Sequence, residues 1–377
     1  MPYRQLSNNF SIIQVYLSKI NTMRFTSYIS ITALLVIGFS INSCDTKVDL
    51  VEEGRETAVI YGFLDPNIDT QFVKITKSFI TEGSAIDAAL YPENSQYDNL
   101  EAYVTAYDDG DTVDSYLLYE KIVNDKDSGA FYYPTQMVYY FTEPLNSDYT
   151  YDINFFGSDN DVSSSTSVVG DFKNDATTNS PTINLVFQFD VGGSIYNNKP
   201  IRLTSAKNAK RYEFTFVFNY IEVYTDGTQK EKVINFGYPD WETSSLNGGE
   251  INNYLIDGET FFQSIAGRII SEDNEENVEK RIIGTMNYVF EYAGSDLNTF
   301  IELNQPSTSI NVEQNPYSNI SNGIGVWSTR GLADFDDIIF ELQFSNSYKE
   351  LAIGQYTGGL KFCSTQQGHD GTLWGCN

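Results

Sequence analysis

The sequence predicts a mainly all-β protein in which an N-terminal immunoglobulin-like β-sandwich precedes a second, larger β-rich domain with two or three short helices. Two observations support this fold class. Aromatic residues make up 15% of the 377-residue chain, led by 27 Tyr and 25 Phe, and aromatic residues are enriched in strands. Short segments of alternating apolar and polar residues also recur along the chain, and turn-forming Gly, Asn, Asp and Pro residues separate them.

An export signal is predicted ahead of the first strand. Residues 23–43 carry one basic residue, Arg24, then an uncharged apolar stretch at 29–41, and they end on Ser43 directly before Cys44. This order is typical of a bacterial lipoprotein signal. The apolar stretch has about 13 residues, fewer than the ~20 of a membrane-spanning helix. We therefore expect cleavage before Cys44 and lipid attachment to its thiol, with ordinary secretion and an uncleaved anchor as alternatives.

The segments on either side of this signal have no strand pattern. Residues 1–22 are interpreted as a leader produced by an early start codon, with Met23 as the true initiator. Residues 44–56 are polar and acidic and are interpreted as a tether between lipid and fold. Two or three acyl chains hold a protein stably at a membrane. The sequence thus predicts a protein held at a bacterial membrane through lipid.

Residues 57–165 are predicted to form the immunoglobulin-like sandwich. Turn residues such as Asp65-Pro66-Asn67 separate its strands, and their short, even spacing fits this architecture. The predicted strands cover residues 57–64, 71–79, 100–107, 116–123, 137–142, 148–156 and 163–169.

The second domain is predicted at residues 175–377, after a Ser, Asn and Asp-rich connection at 158–181. Alternation is strongest at 211–224, where Tyr and Phe occupy every second position. Capped amphipathic patterns predict helices at 257–269 and 295–304. The remaining predicted strands cover residues 183–189, 229–236, 286–292, 337–344 and 360–362.

Charge and composition exclude several kinds of function. The formal net charge of −28 repels nucleic acid. The chain has one histidine, His369, which excludes histidine-based zinc sites and argues against a Ser-His-Asp triad. Acidic residues in turns such as 108–111 are interpreted as ordinary turn-forming residues rather than calcium ligands. No catalytic residue, metal or cofactor is predicted, although carboxylate pairs cannot be chosen by sequence among 51 acids.

Three further features concern individual side chains. With Cys44 lipidated, Cys363 and Cys376 remain, and outside the cytoplasm we expect them to form a disulfide. A metal site using both cysteines and His369 is the alternative, but it lacks regular ligand spacing. Tyr238 and Trp241 lie in a Gly-rich loop. They either face a ligand or cap the second core, and the sequence leaves both options open.

One run near the C-terminus is distinctive. It contains Pro316, then Ser318-Asn319-Ile320, and then Gly323-Ile324-Gly325 two residues before an aromatic, Trp327. Together with the opening strands at 59–64 and 73–78, this order resembles an uncharacterised family of Bacteroidetes lipoproteins. The resemblance implies a surface-facing outer-membrane lipoprotein of a kind found beside TonB-dependent transporters, and it transfers no catalytic residue. Gly323 and Gly325 are expected where backbones approach closely.

These observations favour a non-catalytic binding or accessory module. Its ligand would be a glycan or a peptide, and its partner a TonB-dependent nutrient transporter. Two alternatives remain: a surface carbohydrate-active enzyme using paired carboxylates, and a structural or adhesive envelope protein.

Overall fold

The computed structural model describes residues 56–81, 83–156, 161–170, 173–174, 195–272, 277–304, 317–338 and 346–376. The signal at 23–43, Cys44, the tether up to residue 55, the strand at 183–189 and Pro316 lie outside the described residues. Residues Gly54–Asn377 form one compact unit. The described residues contain seventeen strands and five helices, so the predicted mainly-β fold class is confirmed.

The N-terminal part is a two-sheet sandwich. One sheet has the order β1-β2-β6-β5 and the other β4-β3-β7-β8, which is the strand arrangement of an immunoglobulin-like sandwich. Helices α1 (Ala85–Ala88) and α2 (Pro92–Ser95) lie in the connection from β2 to β3. The strands are β1 (Ala58–Leu64), β2 (Thr70–Lys77), β3 (Ala102–Asp108), β4 (Asp111–Leu117), β5 (Tyr119–Val123), β6 (Gln136–Thr142), β7 (Thr150–Phe156) and β8 (Asp161–Ser167).

Two local features support this assignment. The hydroxyl of Tyr151, at the start of β7, accepts a hydrogen bond from the backbone N–H of Asn146 at 2.8 Å, which corresponds to the tyrosine corner of immunoglobulin-like domains. The single strand predicted at 116–123 is instead two strands in different sheets. Leu118 lies between them and is buried, so its side chain fills the core while the chain crosses from one sheet to the other.

The second part is built around three long strands. Strand β11 has the predicted range, because its aromatic residues alternate without interruption. The elements are β9 (Lys173–Asn174), β10 (Asn198–Thr204), β11 (Arg211–Tyr224), β12 (Gln229–Gly237), β13 (Trp241–Glu242), β14 (Ile251–Asp257), α3 (Gly258–Glu272), β15 (Val278–Ala293), α4 (Ser295–Asn304), β16 (Gly323–Ile338), α5 (Asn346–Ile353) and β17 (Phe362–Cys363).

Strand β16 joins the two parts into one long sheet. It pairs antiparallel with β15 and parallel with β1, so the sheet runs β12-β11-β15-β16-β1-β2-β6-β5. The buried apolar residues form two hydrophobic cores. The first core contains buried residues from Ala58 to Val168 together with Ile320 and Trp327, and the second core contains buried residues from Val169 onward. The predicted domain boundary at 165–175 therefore lies between two cores, whereas the backbone hydrogen bonding continues across it.

Close approach of β1 and β16 depends on a glycine. Gly325 has a φ of +118°, a conformation that side chains disfavour. A Cβ atom there would lie 1.9 Å from the carbonyl oxygen of Ile60. Gly323 pairs with Ala58 in the same parallel ladder. The two glycines thus lie where the two backbones come together.

Both cores pack on the same face of the long sheet. On β16, Trp327 belongs to the first core and Ala333 contacts the second core. The two residues are six positions apart, and side chains an even number of positions apart on a strand lie on the same face. The opposite face is called here the outer face. Helix α4 packs on its centre, where the rings of Tyr61 and Phe300 lie 6.1 Å apart and Leu297 N–H donates to Ser328 Oγ at 3.1 Å. Two candidate sites flank this helix.

Candidate functional site

Three aromatic side chains form a row across the outer face of the sandwich. Phe72 and Tyr140 are register partners, as are Tyr119 and Tyr140. Their ring centroids are 6.1 Å and 6.0 Å apart. Phe72 is 42% exposed and Tyr119 57% exposed. These three residues are called the aromatic row, and exposed apolar groups that cluster in this way mark interaction surfaces.

Two lysines border the aromatic row. The Lys121 ammonium lies 5.1 Å from the ring centroid of Phe72 and 5.9 Å from that of Tyr140, within cation–π range. Lys74 Nζ donates to the carbonyl oxygen of Met137 at 2.6 Å. Burial, helped by the nearby positive charge of Lys126, lowers the pKa of Lys74 to about 8. The row therefore combines apolar ring surface, phenolic hydroxyls and ammonium donors.

A cleft opens on the other side of α4, where the helix borders β11, β15 and β16. Its volume is about 270 Å³. One wall is aliphatic and comes from the helix and β16, whereas the floor is charged. The main lining residues are Asp65, Arg211, Glu213, Glu291, Leu297, Ile301, Arg330 and Leu332.

Arg211 on the cleft floor is held by three neighbours. Its Nε donates to Glu213 Oε1 at 3.1 Å, one terminal nitrogen bonds to Asp240, and the other lies 3.5 Å from Asn298 Oδ1. Glu213 is the register partner of Glu291. Like charges directly opposite on neighbouring strands destabilise a sheet, and the Arg211 guanidinium offsets this repulsion at Glu213. The cleft thus contains a carboxylate pair of the kind that the sequence could not identify.

Tyr238 and Trp241, the predicted ligand-facing aromatics, pack against the second core. The ring of Trp241 stacks on Tyr212 at 5.2 Å, and that of Tyr238 lies 5.0 Å from Phe214. Burial raises the pKa of Tyr238 to about 12, with a smaller contribution from Asp257. This placement agrees with the alternative in which the loop caps the core. Asp240 of the same loop bonds to Arg211 on the cleft floor.

The distinctive C-terminal run fixes β16 to the sandwich. Asn319 Oδ1 accepts from Trp327 N–H at 3.0 Å, and Asn319 Nδ2 donates to the Trp327 carbonyl at 2.8 Å. Ser318 Oγ accepts from Ile320 N–H at 3.2 Å. Ile320 and Trp327 both belong to the first core. Among the described residues, this run therefore stabilises the packing of β16 and does not line the cleft.

Cys363 and Cys376 form a disulfide with their Cα atoms 4.9 Å apart. Inside the loop that it closes, His369 Nδ1 lies 2.8 Å from Ser364 Oγ. Both side chains are buried, and burial, together with the nearby Lys349, lowers the pKa of His369. This buried contact joins two residues five positions apart inside the loop and helps to hold the loop together.

Removing the disulfide should destabilise the C-terminal loop measurably. We expect Cys363→Ala combined with Cys376→Ala to lower the free energy of unfolding by about 3 kcal/mol, because the bridge restricts a loop of about 14 residues in the unfolded chain. Denaturant unfolding followed by circular dichroism measures this change. The reduced wild-type protein is the matched control and should behave like the variant. An oxidised wild type no more stable than either would contradict the prediction.

Within the described ranges, no group of three or more His, Cys, Asp and Glu side chains is arranged to hold a metal ion. None of the helices described is both long and apolar enough to cross a membrane.

Comparison with known proteins gives little further guidance. No protein-family model matches the chain, and no curated protein matches it either. Among solved structures it is similar to the C-terminal globular domain of oligosaccharyltransferase from Pyrococcus abyssi, with 12% sequence identity and a TM-score of 0.22. The match covers 62% of this chain and 46% of that chain. At this TM-score the likeness carries no argument about function.

Proposed function

We propose that this protein is a lipid-anchored, non-catalytic binding module of the bacterial outer membrane that holds a glycan on its aromatic row for a TonB-dependent transporter. The observation that carries the proposal is the aromatic row itself, exposed on a regular sheet. The pattern of residues 23–44 supports the membrane anchor. The resemblance of the run at 315–327 to surface lipoproteins supports the transporter as partner.

A glycan fits this surface better than the other ligand classes. Sugar rings carry one apolar face of C–H groups that stacks on an aromatic ring, and their hydroxyls bond to Tyr oxygens and Lys nitrogens. The rings of Phe72, Tyr140 and Tyr119 succeed one another at about 6 Å across three strands. They therefore offer successive platforms to an extended chain. The strongly acidic protein surface disfavours polyanionic ligands, so a neutral glycan is the expected class.

Binding should depend on the aromatic row and not on other surface tyrosines. We expect Tyr140→Ala to weaken binding to the best glycan of an array by roughly tenfold or more, since loss of a stacked ring costs about 1.5–3 kcal/mol and each 1.4 kcal/mol is tenfold. Calorimetric titration of the purified protein with that glycan measures the change.

Tyr103→Ala is the matched control for this experiment. Tyr103 is half-buried on β3 and points away from the core on the other sheet of the same sandwich, so its loss should leave the affinity unchanged. The proposal fails if wild type binds no glycan on the array, or if the Tyr140 and Tyr103 variants bind equally well.

The cleft supports a second candidate, glycoside hydrolysis by Glu213 and Glu291. Residues directly opposite on antiparallel strands have Cβ atoms about 4.5–5.5 Å apart, so the rotatable side chains of this pair can bring their carboxyl groups to the ~5–5.5 Å separation of retaining glycosidases. Sugar release by wild type that disappears in Glu291→Gln would favour this candidate. Under the leading proposal no sugar is released, and Glu291→Gln binds glycan like wild type.

A further inference from the structure

A second exposed apolar cluster lies at one end of the sandwich. It is called here the loop tip, and its side chains come from two connections, β2 to β3 and β5 to β6. Its members are between 36% and 68% exposed. They are Ile86, Leu90, Tyr91, Phe131, Tyr132 and Tyr133.

The two connections are bonded to each other. Tyr132 N–H donates to the carbonyl oxygen of Ala89 at 3.0 Å, which joins the helical turn of the first connection to the second. Lys126 Nζ donates to the Tyr132 carbonyl at 2.8 Å and lies 5.5 Å from the ring centroid of Phe131. Hydrogen bonds therefore hold the backbone of the loop tip in place, while its large apolar side chains face solvent. Patches of this kind mark interaction sites.

The chain enters the sandwich at this same end. Ala58, the first residue of β1, pairs with Lys77, the last residue of β2. Beside them, Ser78 N–H donates to the Thr57 carbonyl at 2.8 Å, and Thr57 N–H donates to Ser78 Oγ at 2.9 Å. Strand β2 continues from Lys77 directly into the connection that carries Ile86 and Leu90. The N-terminal entry and the loop tip thus share one end of the fold.

The position of the entry points to the partner. Cys44 precedes Ala58 by about 14 residues, which span at most about 50 Å when fully extended. A lipid on Cys44 therefore keeps the entry end of the sandwich, and the loop tip beside it, within about 50 Å of the bilayer. Tyrosine rings prefer the interface between headgroups and acyl chains, where the ring is apolar and the hydroxyl is hydrated. Ile86, Leu90 and Phe131 add apolar groups of the kind that enter this layer.

We infer that the loop tip docks into the interfacial layer of the bilayer that anchors the chain. This inference rests on the lipid anchor of the proposed function. Because the net charge of −28 repels anionic headgroups, the surface that fits is zwitterionic lipid. In this orientation β2, β5 and β6 extend away from the membrane surface. The aromatic row on these strands therefore remains accessible to a ligand from the side.

The mature lipidated protein allows a direct test. With Cys44 acylated and Cys363 bonded to Cys376, a single introduced cysteine is the only free thiol. Ile86→Cys places a fluorophore on the loop tip. Val113→Cys places a fluorophore at the opposite end of the sandwich. Val113 lies three residues beyond the turn between β3 and β4 and is also exposed. Both proteins are reconstituted in phosphatidylcholine vesicles that contain a lipid with a nitroxide near the headgroup.

We expect the Ile86 label to be quenched roughly twofold or more above the Val113 label, since interfacial groups lie about 5–10 Å deep. Adding Phe131→Ser and Tyr91→Ser should reduce the quenching at Ile86 and leave that at Val113 unchanged. Equal quenching of the two labels on vesicle-bound protein overturns the inference and leaves the anchor intact. Failure of both labelled proteins to join the vesicles instead overturns the anchor itself.

Discussion

Replacing Trp327 by alanine should lower the free energy of unfolding by about 3–5 kcal/mol. Trp327 is fully buried, and its indole N–H donates to the Tyr151 carbonyl at 2.9 Å. The ring lies so close over Gly62 that a Cβ there would be 2.5 Å from it. Alanine would leave a large cavity at this point and remove the hydrogen bond to β7. Denaturant unfolding followed by circular dichroism measures the loss.

Two variants control this experiment. Trp327→Phe retains most of the apolar volume and loses the hydrogen bond, so we expect an intermediate cost of about 1–3 kcal/mol. Leu332→Ala changes an exposed residue of the same strand and should cost no more than about 0.5 kcal/mol. Because β16 pairs with strands of both parts, we expect one cooperative transition. Separate transitions, with only one shifted by Trp327→Ala, would contradict a single cooperative unit.

The sequence predicts strands well wherever alternation is local. Strand β11 has the predicted range because its buried aromatics recur at every second residue, and helix α4 has the predicted 295–304. The pairing of β1 with β16 could not be predicted in this way. The two strands are separated by most of the chain. Trp327 joins β16 to the first core, but the residues next to it in sequence do not indicate which strand it packs against.

The candidate site shows the same limit. Phe72, Tyr119 and Tyr140 lie on three different strands, and only the strand register aligns them. One local signal was present: Tyr139, Tyr140 and Phe141 are consecutive, so in a strand one of the three has to face away from the core. The loop with Tyr238 and Trp241 looked more exposed because it is rich in Gly and Pro. Its rings nevertheless fold back on Tyr212 and Phe214.

Breaking the buried ion pair of the second part should be as costly as removing Trp327. Arg281 is fully buried, its Nε donates to Glu222 Oε1 at 3.1 Å, and its Nη1 donates to the Leu360 carbonyl at 2.5 Å. We expect Arg281→Ala to lower the free energy of unfolding by about 3–5 kcal/mol, because it removes the closer of two cations beside the buried Glu222 carboxylate and leaves Lys232, whose Nζ lies 3.6 Å from Glu222 Oε2. Denaturant unfolding at neutral pH measures this loss.

The double variant separates the value of the pair from the cost of an isolated charge. Arg281→Met with Glu222→Leu removes both charges and keeps apolar volume, so its cost should be smaller than that of Arg281→Ala. Strand β15 pairs with β17 at Arg281 and at Ile282, the latter opposite Cys363 of the disulfide. If the pair also holds β17 in place, both variants should expose the C-terminal loop to protease. Glu222→Leu also removes the hydrogen bond that the Tyr224 hydroxyl donates to Glu222 at 2.9 Å. A double variant as unstable as Arg281→Ala would therefore show that the lost hydrogen bonds, to the Leu360 carbonyl and from Tyr224, and not charge compensation, provide the stability.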